Sequence, residues 1–63
     1  MNWKNVIKDE VPSDKQEVLI AVKGIYYPAT YIASQNGFRL HISDKFIPIK
    51  NSSIIYWAEL RAQ

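Results

Sequence analysis

EVLIAV at 17–22, KG at 23–24, IYYPATYIA at 25–33, SQNG at 34–37 and FRLHI at 38–42 form three apolar, β-branched runs cut by two turn signals. From 38 to 42 the chain alternates strictly: Phe38, Leu40 and Ile42 fall on one side, Arg39 and His41 on the other. That is the pattern of a strand with one wet face. Just before it, Asn36-Gly37 is a strong hairpin signal, because a type I′ turn needs positive φ at both central residues and Asn and Gly tolerate it best. The spacing therefore predicts antiparallel pairing of 25–34 with 38–42. In 17–22, Val18, Ile20 and Val22 share one face and Leu19 and Ala21 the other, so this run is expected to be buried on both sides and central in the sheet. Lys23-Gly24 supplies the turn that brings Ile25 back alongside it.

Working outward, the first eleven residues hold Trp3, Val6, Ile7 and Val11 among charges, and Pro12 argues against a helix. They read as an extended edge arm with a short turn that docks Trp3 onto the sheet. Pro12-Ser13-Asp14-Lys15 is turn chemistry, with Pro fixing φ and the Ser and Asp side chains able to accept from nearby backbone donors. Pro28 cannot donate to a ladder and is expected to break pairing and bend its strand, which helps a short sheet to curl. Ser43-Asp44-Lys45 is a further turn, 46–49 an edge piece interrupted by Pro48, Lys50-Asn51-Ser52-Ser53 a polar loop, and 54–60 a last strand. In that strand Ile54, Tyr56, Ala58 and Leu60 lie opposite Ile55, Trp57 and Glu59. The expected fold is a single mainly β domain: a small antiparallel curled sheet or SH3-like barrel of four or five strands, with little or no helix.

Size sharpens these expectations. A 63-residue chain is near the lower limit for folding alone, yet 48% of its residues are hydrophobic and eight are aromatic, which is a globular composition. The absence of cysteine removes disulfides, thiolate catalysis and Cys-based zinc sites, and favours a reducing compartment, so a cytoplasmic location is expected. No apolar run approaches the length of a membrane span, and MNWKNVIKDE carries acidic residues where an export signal would be apolar. The net charge of +2 is spread along the chain without a basic block, which is weak support for nucleic acid.

WKNV at 3–6, PSDKQEVLI at 12–20 and IYWAEL at 55–60 resemble a family of small phage, prophage and bacterial proteins with the pattern W-I-S-V, L-P-x-x-G-x-x-V-L-V and T-H-W-x-P-L. Trp3, Val6, Pro12, Val18, Leu19, Trp57 and Leu60 fall on that pattern. Lys15 stands where the family usually has Gly, Tyr56 where it has His and Glu59 where it has Pro, and the spacing from Trp3 to Pro12 is one residue longer. The family is known only as a domain of unknown function. The resemblance implies a phage or mobile-element setting and a small protein acting on a host or phage protein.

The inventory of reactive groups is short. His41 is the one histidine, on the wet face beside Arg39, where it reads as an exposed strand residue and not as a base for Ser43 or a partner of Asp44. Gly24 and Gly37 are too far apart to cradle a phosphate, and Asp9, Glu10 and Asp14 lack the spacing of a calcium loop. No catalytic residue, metal or cofactor is assigned. Trp3, Tyr31, Phe38 and Trp57 are expected in the core, which leaves Tyr26, Tyr27 and Tyr56 free. With Arg39 and His41 they form the expected partner-binding set, since exposed tyrosine beside arginine is common anchor chemistry. The expected function is a non-enzymatic protein-binding module that docks a larger protein, or a second copy as a homodimer, through a tyrosine face or an unpaired edge strand. The alternative is a single-stranded nucleic-acid-binding β domain using Lys23, Arg39 and Lys45 with Tyr26 or Tyr27.

Overall fold

A computed structural model describes residues 2–49 and 55–60. It contains β1 (Lys4–Asn5), β2 (Glu17–Val22), β3 (Ile25–Ile32), a single 3₁₀ turn (Ala33–Gln35), β4 (Gly37–Leu40), β5 (Phe46–Pro48) and β6 (Ile55–Glu59). All pairings are antiparallel and give one open, curled sheet in the order β1-β6-β2-β3-β4-β5. The sixth strand is the N-terminal arm, which pairs Lys4 with Trp57 and Asn5 with Tyr56. The polar segment 50–53 and Ile54 lie outside the described residues.

β2 is central, as its two-sided apolar pattern predicts, paired with β3 along its whole length and with β6 from Val18 to Val22. Its two hairpin signals exchange roles. Val22 pairs directly with Ile25, and both intervening residues have positive φ, Lys23 at 53° and Gly24 at 81°, so the type I′ turn sits here. At the other signal only Asn36 is left-handed (φ 51°), while Gly37 is already in β4 opposite Ile32. The β3–β4 connection is a four-residue turn over 33–36, closed by the Asn36 N–H donating to the Ala33 carbonyl at 3.1 Å. Lysine is a poor occupant of a left-handed site, where a Cβ costs about 1–2 kcal/mol. Lys23→Asn should therefore raise the denaturation midpoint, with a gain of up to about 1 kcal/mol; an unchanged or lower midpoint would show that this turn is not strained.

Pro28 does not interrupt the β2–β3 ladder, where it pairs with Leu19. The reason is parity. The Tyr31 N–H donates to the Gln16 carbonyl on the β2 side, so odd-numbered residues of β3 face β2 and even-numbered ones face away. The missing donor of Pro28 thus points to the β4 side, where β4 pairs only from Ala29 onward. The Pro28 carbonyl, on the same side, accepts from the His41 N–H at 3.1 Å.

The inner face of the curl holds the core: Val18, Ile20, Ala29, Tyr31, Phe38, Leu40, Ile55 and Trp57, joined by Val6. Phe38 and Ile20 are the largest of the fully buried side chains, and Phe38 tilts against Tyr31 with ring centroids 5.3 Å apart. Ile42, expected beside Phe38 and Leu40, is instead 83% exposed, because β4 ends at Leu40 and the chain turns away. Trp3, also expected in the core, lies on the outer face.

The N-terminal arm is held by local polar contacts and by several long-range bonds. Asn5 Oδ1 accepts from the Ile7 and Lys8 N–H groups at 2.8 and 2.9 Å, the geometry of a cap on a single turn. Glu10 clamps the arm twice: its carbonyl accepts from Trp57 Nε1 at 2.8 Å, and its carboxylate takes Lys4 Nζ at 2.6 Å. That hydrogen bond to Glu10 holds the Lys4 ammonium above its ordinary pKa. The Pro12 to Lys15 turn ends with Asp14 Oδ1 accepting from the Ala33 N–H at 2.9 Å, which ties the arm to the 3₁₀ turn.

Candidate functional site

Cross-strand register arranges the outer face in three rows. Tyr56, Ala21 and Tyr26 form the first; Ala58, Leu19 and Pro28 the second; Glu17, Thr30 and Arg39 the third. The first row is aromatic. Tyr26 stacks on Trp3, with ring centroids 5.5 Å apart and planes 21° from parallel. β6 and β2 lie between β1 and β3, a distance of about 14 Å at ordinary strand spacing. The two rings therefore lean towards each other across the sheet, over the small side chains Ala21 and Ala58. Ala58 and Asn5 on this face are buried. Trp3, Tyr26 and Tyr56 all remain exposed at the surface.

The third row carries the polar end. His41 Nε2 and Thr30 Oγ1 share a hydrogen bond of 2.8 Å, which brings His41 over the outer face. Arg39, half exposed, has its Nε 3.8 Å from Asp44 Oδ1. Neither Ser43 nor Asp44 engages the imidazole among the described contacts; Thr30 does. Of the five residues expected to bind a partner, Tyr26, Tyr56, Arg39 and His41 thus share the outer face. Tyr27 does not: it follows Tyr26 in a strand, so its side chain points inward, half-buried against the core. Trp3 is the member that sequence reasoning placed elsewhere; no pattern in WKNV distinguishes a core tryptophan from one that roofs the opposite face.

The sheet edges are mostly closed. On β1, Val6 donates to the Ile55 carbonyl, so Asn5 faces outward; its N–H is taken by Asp9 Oδ2 at 2.8 Å and its carbonyl by the Asp9 N–H at 3.0 Å. On β5, Ile49 donates to the Asn36 carbonyl, so Phe46 and Pro48 face outward, and Pro48 has no N–H to offer. Carboxylates are also largely consumed within the fold: Asp9, Glu10 and Asp14 accept the bonds above and Asp44 faces Arg39. Among the described residues the Lys23 and Lys45 ammonium groups meet no carboxylate.

No group of three or more candidate metal ligands occurs among the described residues, and no helix there is long and apolar enough to cross a membrane. Compared with protein-family models, curated proteins and solved structures, the chain finds no match in any of the three.

Proposed function

We propose that the chain is a non-enzymatic protein-binding module that presents Trp3, Tyr26 and Tyr56 to a partner, with Arg39 and His41 at the polar end of the same face. The observation that carries this reading is the Trp3–Tyr26 stack. Two large rings are fixed against each other on an exposed face, where their position does not have to be ordered on binding. A phage or prophage protein acting on a host or phage protein in the cytoplasm is the setting this reading adopts. Its support is the resemblance of the two ends of the chain to that family, together with Lys15. That residue takes a φ of 65° where the family usually carries glycine, the residue that enters this region without cost.

The test is affinity capture from host lysate with the tagged chain, with and without nuclease, eluted over a salt series. A discrete protein should survive nuclease, and Tyr26→Ala/Tyr56→Ala should reduce its capture by at least about tenfold, as expected for aromatic anchors. The double variant should still unfold cooperatively, since both side chains lie outside the core. Undiminished capture by a folded double variant would place the interface elsewhere. Single-stranded nucleic acid is the second reading, because bases stack on sheet aromatics beside arginine. It would show as retained material that vanishes with nuclease and elutes at modest salt.

A further inference from the structure

We propose that the gap left where β4 stops short of β3 is a docking site for a short extended peptide, apolar at its centre and acidic at its ends. This rests on the reading of the chain as a protein-binding module and names the chemistry of what it binds.

The parity established for β3 turns the Tyr26 N–H and carbonyl away from β2, towards the line that β4 occupies further along. β4 pairs with β3 only from Ala29 to Ile32, and His41 closes the ladder at Pro28. Among the described residues no backbone group meets Tyr26 on that side. The other edges are blunted by Asp9 and Pro48, so this is the place where an added strand finds a donor and an acceptor in register. It is also where apolar surface is least covered. Ile42, Tyr26 and Ile25, at 83, 63 and 55% exposure, are the most exposed of the large hydrophobic residues described. Ile25 and Tyr26 belong to the open stretch of β3, and Ile42 follows the His41 that bounds it. An exposed apolar edge with free backbone groups is the arrangement that folded proteins ordinarily avoid.

Charge selects the occupant. Lys23 stands at one end of the gap; His41 and Arg39 stand at the other, Arg39 with its Nε 3.8 Å from Asp44 Oδ1 and Glu17 in the same row beyond Thr30. A second copy added by two-fold symmetry, Tyr26 against its own counterpart, would bring Lys23 to the basic end of the other molecule's gap. The open stretch from Ile25 to Tyr27 is also only about 10 Å long, too short for a two-fold strand pair there to bury by itself the roughly 800 Å² per partner of a standard interface. A peptide with an acidic residue at each end meets both constraints.

Hydrogen exchange on the full chain tests this, using the blocked probe Asp-Glu-Val-Thr-Val-Glu-Asp and its basic counterpart Lys-Arg-Val-Thr-Val-Arg-Lys. The acidic probe should slow exchange of the Tyr26 amide by at least about tenfold, while the Tyr27 amide, turned towards β2, is protected already. Tyr26→Pro removes the outward donor without taking a bond from β2, as Pro28 does, and should weaken the acidic probe by at least about tenfold. Tyr26→Ala keeps the donor and should weaken it less. Equal binding of both probes, or binding with the Tyr26 amide unprotected, overturns the proposal. So does a Tyr26 amide already protected in a chain that sediments as a dimer. If capture from lysate still depends on Tyr26 and Tyr56 while the Tyr26 amide stays unprotected, the module stands and the strand site falls.

Discussion

Phe38→Ala should cost the sheet between about a third and all of its stability. Phe38 is fully buried on the inner face, between Tyr31 on β3 and Ile47 on β5, and tilts against the Tyr31 ring. Truncating a buried phenylalanine costs about 3–5 kcal/mol, the lost transfer energy plus the cavity left behind. A domain of 63 residues has about 3–9 kcal/mol in total, so the loss takes a third of the stability at best and all of it at worst. The control is Ile42→Ala. Strict alternation puts Ile42 on the same side as Phe38, yet it is 83% exposed, and its truncation should change stability by no more than about 0.5 kcal/mol. Urea titration of both variants decides the matter: comparable losses would mean that the β4 pattern runs on through Ile42 and that the turn after Leu40 is wrong.

Gly37→Ala should detach β5. A Cβ at Gly37 would lie 2.5 Å from the Ile47 carbonyl oxygen and 2.9 Å from Pro48 Cα, and would strike the Phe46 ring. Two of those obstacles are backbone, so the strand must move as a whole, at a cost of about 1–3 kcal/mol or more. The Ile49 amide, which donates to the Asn36 carbonyl at 2.9 Å, should then exchange freely. Gly24→Ala is the informative contrast. Nothing lies within 4 Å of its Cβ, but its φ of 81° strains any side chain, so it should lower stability while leaving the β5 amides protected. Protected β5 amides in Gly37→Ala would show that β5 does not approach Gly37 as closely as described.

These two glycines also show what the sequence could and could not reveal. Both were readable as turn residues, and only Gly24 is one; Gly37 is required by the backbone and ring packed against it, a long-range fact that Asn36-Gly37 does not encode. The bounds of β2 were legible to the residue from its unbroken apolar run, although burial is one-sided: Val18 and Ile20 are buried, while Leu19 and Ala21 are half-buried on the outer face. Pro28 was legible as an anomaly but not in its resolution, which depends on where β4 ends. On the candidate site, alternation alone separates Tyr26 from Tyr27, and Tyr56 and Arg39 are legible as surface residues because their neighbours in sequence are core. Trp3 was missed as a surface residue because its partner is Tyr26, two intervening strands away.

The strand order has a consequence for how the molecule comes together in time. β2, β3, β4 and β5 are successive neighbours, joined by short turns, and can pair as they are made. β1 cannot, because the strand it needs is β6, the last of the described strands, which also forms the second flank of β2. Lys4–Asn5 thus stays unpaired, with Trp3 and Val6 uncovered, until Ile55–Glu59 is available and slots between β1 and β2. Without β6 the chain holds a three-hairpin meander with one naked flank, so Ile55–Glu59 is the keystone on which one-step assembly depends.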